Sequence, residues 1–90
     1  MKSRTRKSFW LDYAALPTPI QIRAKAAYRR FLLDPTYPGL QFKQVHPTLP
    51  VWSVRISASY RAVGIRTPAD TIVWFFIGTH ADYDRLLASL

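Results

Sequence analysis

A chain of 90 residues makes one domain with one modest core, and 49% hydrophobic residues are enough for it to fold unaided. It contains neither cysteine nor glutamate, and His46 and His80 do not stand at metal-ligand spacing. A disulfide framework and a thiolate site are therefore excluded, and neither a metal nor another cofactor is expected.

Thirteen Lys and Arg against five Asp give a net charge of +8 and a pI near 10.5, which points to a polyanionic partner, nucleic acid first. Arg exceeds Lys by nine to four, and Arg is the better group for bidentate phosphate contact. The basic start Met1 to Lys7 is not followed by a long apolar segment, so neither a secretory signal nor a membrane span is expected, and the cytoplasm is the expected location.

In chain order, Lys2 to Phe9 alternates loosely and reads as a short, charged edge strand or, second, as a frayed basic arm that touches a polyanion. Phe9, Tyr13 and Leu16 recur at helical spacing up to Pro17 and predict a first helix. Thr18-Pro19-Ile20-Gln21 reads as a cap, a proline at the first helical position and a glutamine placed to close a capping box. A second helix follows from Pro19 to Leu33, with Ile20, Ala24, Ala27, Tyr28 and Phe31 on one stripe. The tight link between them predicts a helical hairpin packed on one face of a sheet.

Leu40 to Val45, Val51 to Ile56 and Tyr60 to Ile65 read as successive strands, in which Trp52, Val54 and Ile56 enter the core while Val51, Ser53 and Arg55 face the other way. The apolar run Ile72 to Ile77 predicts a strand covered on both faces, hence the centre of the sheet. Beyond it, Gly78 permits a sharp turn, and Thr79 caps a terminal helix whose capping box Asp82 completes. The stripe of Tyr83, Leu86, Leu87 and Leu90 covers the second face. The expected architecture is a single domain over residues 1–90, α+β, with a small mostly antiparallel sheet, an N-terminal helical hairpin on one face and a short C-terminal helix.

Three segments carry a resemblance across nearly the whole chain: Ala24-Lys25-Ala26-Ala27-Tyr28 leading to Asp34-Pro35 and Leu40-Gln41-Phe42-Lys43, the strand pair Val51 to Val63 with its Tyr60-Arg61, and Ile77-Gly78-Thr79-His80-Ala81-Asp82-Tyr83-Asp84. In these the chain resembles the RelE/ParE superfamily of small toxins from bacterial toxin-antitoxin systems, which are also associated with plasmid stabilisation. The resemblance implies a compact sheet with a helical hairpin on one face. In the RelE-like branch it implies a metal-independent endoribonuclease, an mRNA interferase that inhibits translation at the ribosome. The ParE-like branch instead inhibits DNA gyrase. Expected partners are a cognate antitoxin and mRNA, with the ribosome a further candidate.

Carried over by motif, the catalytic positions fall on Arg55, Arg61, His80 and Tyr83, and the RNA-binding positions on Lys43, His46, Arg55 and Arg61. The chemistry needs a group to take the proton of a ribose 2′-OH, cations for the charge developing on phosphorus, and a proton for the leaving 5′-oxygen. Arg55 and Arg61 suit the second task, and His80 suits either proton transfer. Where the RelE branch has two strand lysines this chain has Ser53 and Arg55, which leaves the general base open. Tyr83 reads equally as a core ring or as a group at the site, and His46 beside Pro47 reads more as a loop histidine than as a catalyst.

The alternative function is a binding protein without nuclease chemistry, either a gyrase-inhibiting toxin or a relative that retains only partner or nucleic-acid binding.

Overall fold

The most apolar stretch of the chain becomes its longest strand. In the computed structural model, which describes residues 1–90, β1 (Lys2–Thr5) is followed by the hairpin of α1 (Lys7–Ala14) and α2 (Thr18–Leu33). Then come the strands β2 (Lys43–Gln44), β3 (Val51–Ser57), β4 (Tyr60–Thr67) and β5 (Thr71–Thr79), and finally α3 (His80–Ser89). The strand order is β1-β5-β4-β3-β2, with β1 parallel to β5 and every other pairing antiparallel. The α+β architecture expected from the sequence is the one observed. The strand expected at the sheet's centre, β5, lies between β1 and β4, while the middle position belongs to β4.

A bulge decides which residues of β5 face which layer. Val63 pairs with Phe76 but Gly64 pairs with Trp74, leaving Phe75 as the extra residue. Strand alternation is thereby reset. Ile72, Trp74 and Ile77 enter the cluster under the helical hairpin with Ala24, Phe31, Leu40, Val54 and Ala62. Phe75 and Phe76 both pack on the opposite face, against Val51, Val63 and Tyr83. Phe31 anchors the first layer, meeting Phe42 and Trp74 edge-on at centroid distances of 5.0 and 5.4 Å. Leu86 and Leu87 of α3 cover the second layer as expected, but Leu90 lies beyond the helix and is exposed.

Glycine at position 64 allows this packing. A Cβ there would stand 2.9 Å from the Ile72 side chain and 3.0 Å from the Trp74 ring, both enclosed in the core. Gly64→Ala is therefore expected to lower stability by about 1–3 kcal/mol through overpacking, read as a lower urea midpoint with an unchanged slope.

Several local expectations are corrected. The first strand stops at Thr5 because α1 begins two residues before Phe9, at Lys7. Thr18 does not cap α2 with its side chain: Pro17 occupies the cap, and Gln21 Nε2 instead donates to the Tyr13 carbonyl at 3.0 Å, tying the two helices together. The strand expected over Leu40 to Val45 shrinks to two residues. Pro38–Leu40 forms a 3-10 turn and Gln41 adopts a left-handed φ of 47°, so the chain is extended only after it. Gly78 makes no turn, since no glycine has a positive φ; it sits within β5, where a Cβ would meet the Phe76 ring at 2.9 Å.

Candidate functional site

Register places the basic residues in one array. Lys43 pairs with Ser53, and Arg55 pairs directly with Arg61, which in turn opposes Gly78. Directly opposed residues share a face. Lys43, Ser53 and Arg61 therefore line the same side of the sheet as α3, and Arg55, in register with them at the rim of β3, also borders a cleft with Arg23 and Arg30 of α2. Because β2 pairs only with Trp52 and Ser53, the outer edge of β3 at Arg55 is left open.

Arg61 is the most unusual residue of this face. It is 7% exposed, and no carboxylate forms an ion pair with it. Its Nε and Nη2 donate to the Ser53 Oγ at 3.1 and 2.9 Å, and Nη1 and Nη2 reach the side-chain and backbone oxygens of Gln41 at 3.4 and 3.5 Å. All of these acceptors are neutral. Burying a guanidinium without a counter-charge costs several kcal/mol, and a like charge directly across the strand pair, here Arg55, adds to it. An anion on this face would offset both terms.

Tyr83 and His80 complete the array. The Tyr83 ring is buried, packed with Val51 and Val63, and its centroid lies 5.4 Å from the Arg61 guanidinium carbon and 5.4 Å from the His80 ring. No group of the chain takes a hydrogen bond from its hydroxyl, and no buried polar atom lacks a partner, so the hydroxyl reaches solvent. The ring is therefore core, one of the two roles left open in the sequence, and the hydroxyl has no partner within the chain.

Local chain geometry presents His80. It is the first residue of α3; the Thr79 Oγ accepts from the Asp82 N–H at 3.1 Å, and the His80 N–H donates to the Ser59 carbonyl at 2.7 Å. This fixes the helix start to the β3–β4 turn. Only half of the expected capping box forms, because the Asp82 carboxylate pairs with Arg85. The His80 side chain is 55% exposed, with Nε2 3.5 Å from the Asp84 carboxylate one helical turn on.

His46 lies apart from this cluster in function. Its Nδ1 accepts from the Thr48 and Leu49 N–H groups at 3.1 and 2.9 Å, holding the β2–β3 loop. That nitrogen is committed to the backbone, as expected of a loop histidine. Sequence reasoning missed Ser53, Gln41 and Asp84 as parts of the array. Only strand register and the left-handed residue at position 41 bring the first two to Arg61, although the i, i+4 spacing of His80 and Asp84 was visible.

No three His, Cys, Asp or Glu side chains converge on a common point. On the opposite side of the molecule, a half-enclosed apolar cavity of about 270 Å³ opens between the helical hairpin and β1, with Ala24, Ala27 and Ala62 in its wall and Arg4, Lys25 and Arg29 among its lining. No helix is long and apolar enough to cross a membrane.

The family model for the ParE-like toxin domain matches residues 18–85, and the chain belongs to that family, the RelE/ParE type of toxin found in toxin-antitoxin systems. Solved structures share the fold. A YoeB/ParE toxin from Agrobacterium tumefaciens is 19% identical with a TM-score of 0.67, covering 89% of this chain and 99% of its own. The RelB-RelE antitoxin-toxin complex from Methanococcus jannaschii matches with 17% identity and a TM-score of 0.69, over 90% and 94% of the two chains. The intact E. coli RelBE toxin-antitoxin complex matches with 11% identity and a TM-score of 0.64, over 86% and 93%. Comparison with curated proteins gave no match.

Proposed function

We propose that this toxin is a metal-independent endoribonuclease that cuts mRNA and so inhibits translation in the cytoplasm, with the ribosome as the setting. The observation that carries this reading is the buried Arg61, held by neutral acceptors, with Tyr83 and His80 in sequence beside it. Arg61 and Arg55 bind the scissile phosphate and stabilise the charge that grows on its oxygens. Lys43 extends the cationic track along the RNA backbone. His46 contributes to this track only by shaping the loop.

In the reaction, His80 accepts the proton of the 2′-OH as that oxygen attacks phosphorus. The Asp84 carboxylate, one turn along α3 and 3.5 Å from Nε2, favours the imidazole orientation and tautomer that leave Nδ1 to accept. The P–O5′ bond breaks, a 2′,3′-cyclic phosphate forms, and the leaving 5′-oxygen takes a proton from the imidazolium or from water. The Tyr83 hydroxyl holds a phosphate oxygen between the imidazole and the guanidinium. His80, at the start of α3, thus takes the role that a strand lysine would fill in the RelE branch, where this chain has Ser53.

A cognate antitoxin is the proposed protein partner. The apolar cavity with basic residues around it suits an amphipathic, acidic segment of such a partner. A second reading, inhibition of DNA gyrase without nuclease chemistry, is favoured by the ParE-like family match and by the missing strand lysine. The two differ in one test. An mRNA with a single 2′-deoxyribose at a mapped cut should resist cleavage there and be cut normally elsewhere. Cleavage that ignores the substitution contradicts attack by the 2′-OH.

A further inference from the structure

Arg61 has a tight side and a loose side. A guanidinium carries five N–H donors in a fixed plane. Two of them, on Nε and Nη2, converge on one oxygen, the Oγ of the fully buried Ser53, at 3.1 and 2.9 Å. The contacts to Gln41, at 3.4 and 3.5 Å, stand at the outer limit for a hydrogen bond. They lie along the Nη1/Nη2 edge, the edge that offers two parallel donors to a carboxylate or phosphate. Gln41 itself is exposed and held in a left-handed conformation with φ 47°, an uncommon state for a residue other than glycine. That conformation follows the Pro38–Leu40 turn and brings both its amide and its carbonyl to Arg61.

We infer that Ser53 is a positioning residue and Gln41 a displaceable acceptor, and that together they make Arg61 a one-sided receptor for a single phosphate group of RNA. Ser53 locks the inner edge with a neutral oxygen, so the guanidinium is fixed without being neutralised. A carboxylate at position 53 would fix it more firmly but would cancel its charge, and a lysine there would repel it. Gln41 satisfies the outer edge weakly in the free protein and gives it up to a phosphate, whose charged oxygens make the stronger, bidentate contact. The inference rests on reading this face as the polynucleotide site, and it does not require that the bound strand be cut.

The test is binding of a fluorescein-labelled, fully 2′-O-methylated single-stranded RNA, which cannot be cleaved through its 2′-oxygens, measured against salt for the full chain and its variants. Ser53→Asp is expected to bind about tenfold to a hundredfold more weakly, with the slope of log K against log salt reduced by about 0.7, the loss of one phosphate contact on a single strand. Ser53→Thr, which keeps the hydroxyl, should retain wild-type affinity, and Ser53→Ala should lose several-fold. Gln41→Ala should bind at least as tightly as wild type, because a competing acceptor is gone. A merely structural Gln41 would instead weaken binding.

A folded Ser53→Asp protein with the wild-type slope would overturn the inference, as would failure of wild type to bind this RNA. Should the aspartate variant not fold, equal affinities for the alanine and threonine variants would overturn it. Unmodified mRNA, tested alongside, separates the two claims: no cleavage by wild type, together with the Ser53→Asp effect, removes the nuclease reading and leaves this one in place.

Discussion

Arg61→Met is expected to lower the rate of the proposed mRNA cleavage by about 10²- to 10³-fold, the loss when one preorganised group facing transition-state charge is removed. The substitution separates catalysis from folding by sign. Methionine fills much of the same space, and although the buried Ser53 Oγ loses its two donors at a cost of about 1–3 kcal/mol, removing a buried guanidinium that has no carboxylate partner relieves a desolvation penalty of several kcal/mol, so thermal stability should hold or rise. Loss of activity with an unchanged or higher Tm is the predicted pair of results. Arg61→Lys should not restore the rate, because an ammonium cannot reproduce the two-donor grip on Ser53 while presenting a second edge to the phosphate. A lower Tm in the methionine variant would mean that Arg61 serves the fold instead.

His80→Ala should cost about 10²- to 10⁴-fold in cleavage, the usual range for a positioned proton-transfer group. Its effect on stability should stay within about 0.5 kcal/mol, since the side chain is mostly exposed and its contact with the Asp84 carboxylate is solvated. The helix start should survive, because the Thr79 cap and the backbone bond to Ser59 do not involve the imidazole. Asp84→Asn should give a smaller loss in the same assay, as expected of a residue that only orients the ring. Equal cleavage by wild type and His80→Ala would transfer the proton-accepting role away from the imidazole.

How far the sequence could be read depends on the physical range of each signal. The helical hairpin, the strand pair around Ser57 to Tyr60 and the terminal helix were legible because their apolar periods and breakers act within a few residues. The faces were legible too, Val54 inward and Arg55 outward, because alternation survives any uncertainty about strand ends. Failures came where tertiary contact outweighs local preference. A bulge at Phe75 shifts the phase of β5, and nothing in six consecutive apolar residues marks where it falls. A left-handed glutamine cuts short the strand expected over Leu40 to Val45, although glutamine is no usual signal for that conformation.

The candidate site shows the same division. Arg55, Arg61, His80 and Tyr83 stand out as motif residues, and the structure places Arg61 opposite Arg55, with both Arg61 and His80 beside Tyr83. The burial of Arg61 could be suspected from Val63 and Ile65 sharing its face, but not its partners. Ser53 looked like a missing lysine. In the fold it is the buried oxygen that holds Arg61, so its departure from the family pattern has a structural role of its own.

The most direct test of the central claim is primer extension on mRNA recovered from a cell-free translation reaction that contains the purified protein. Discrete new 5′ ends within the coding region should appear with wild type and disappear with Arg61→Met and with His80→Ala. Intact mRNA under the same conditions, together with impaired supercoiling by DNA gyrase, would contradict the account.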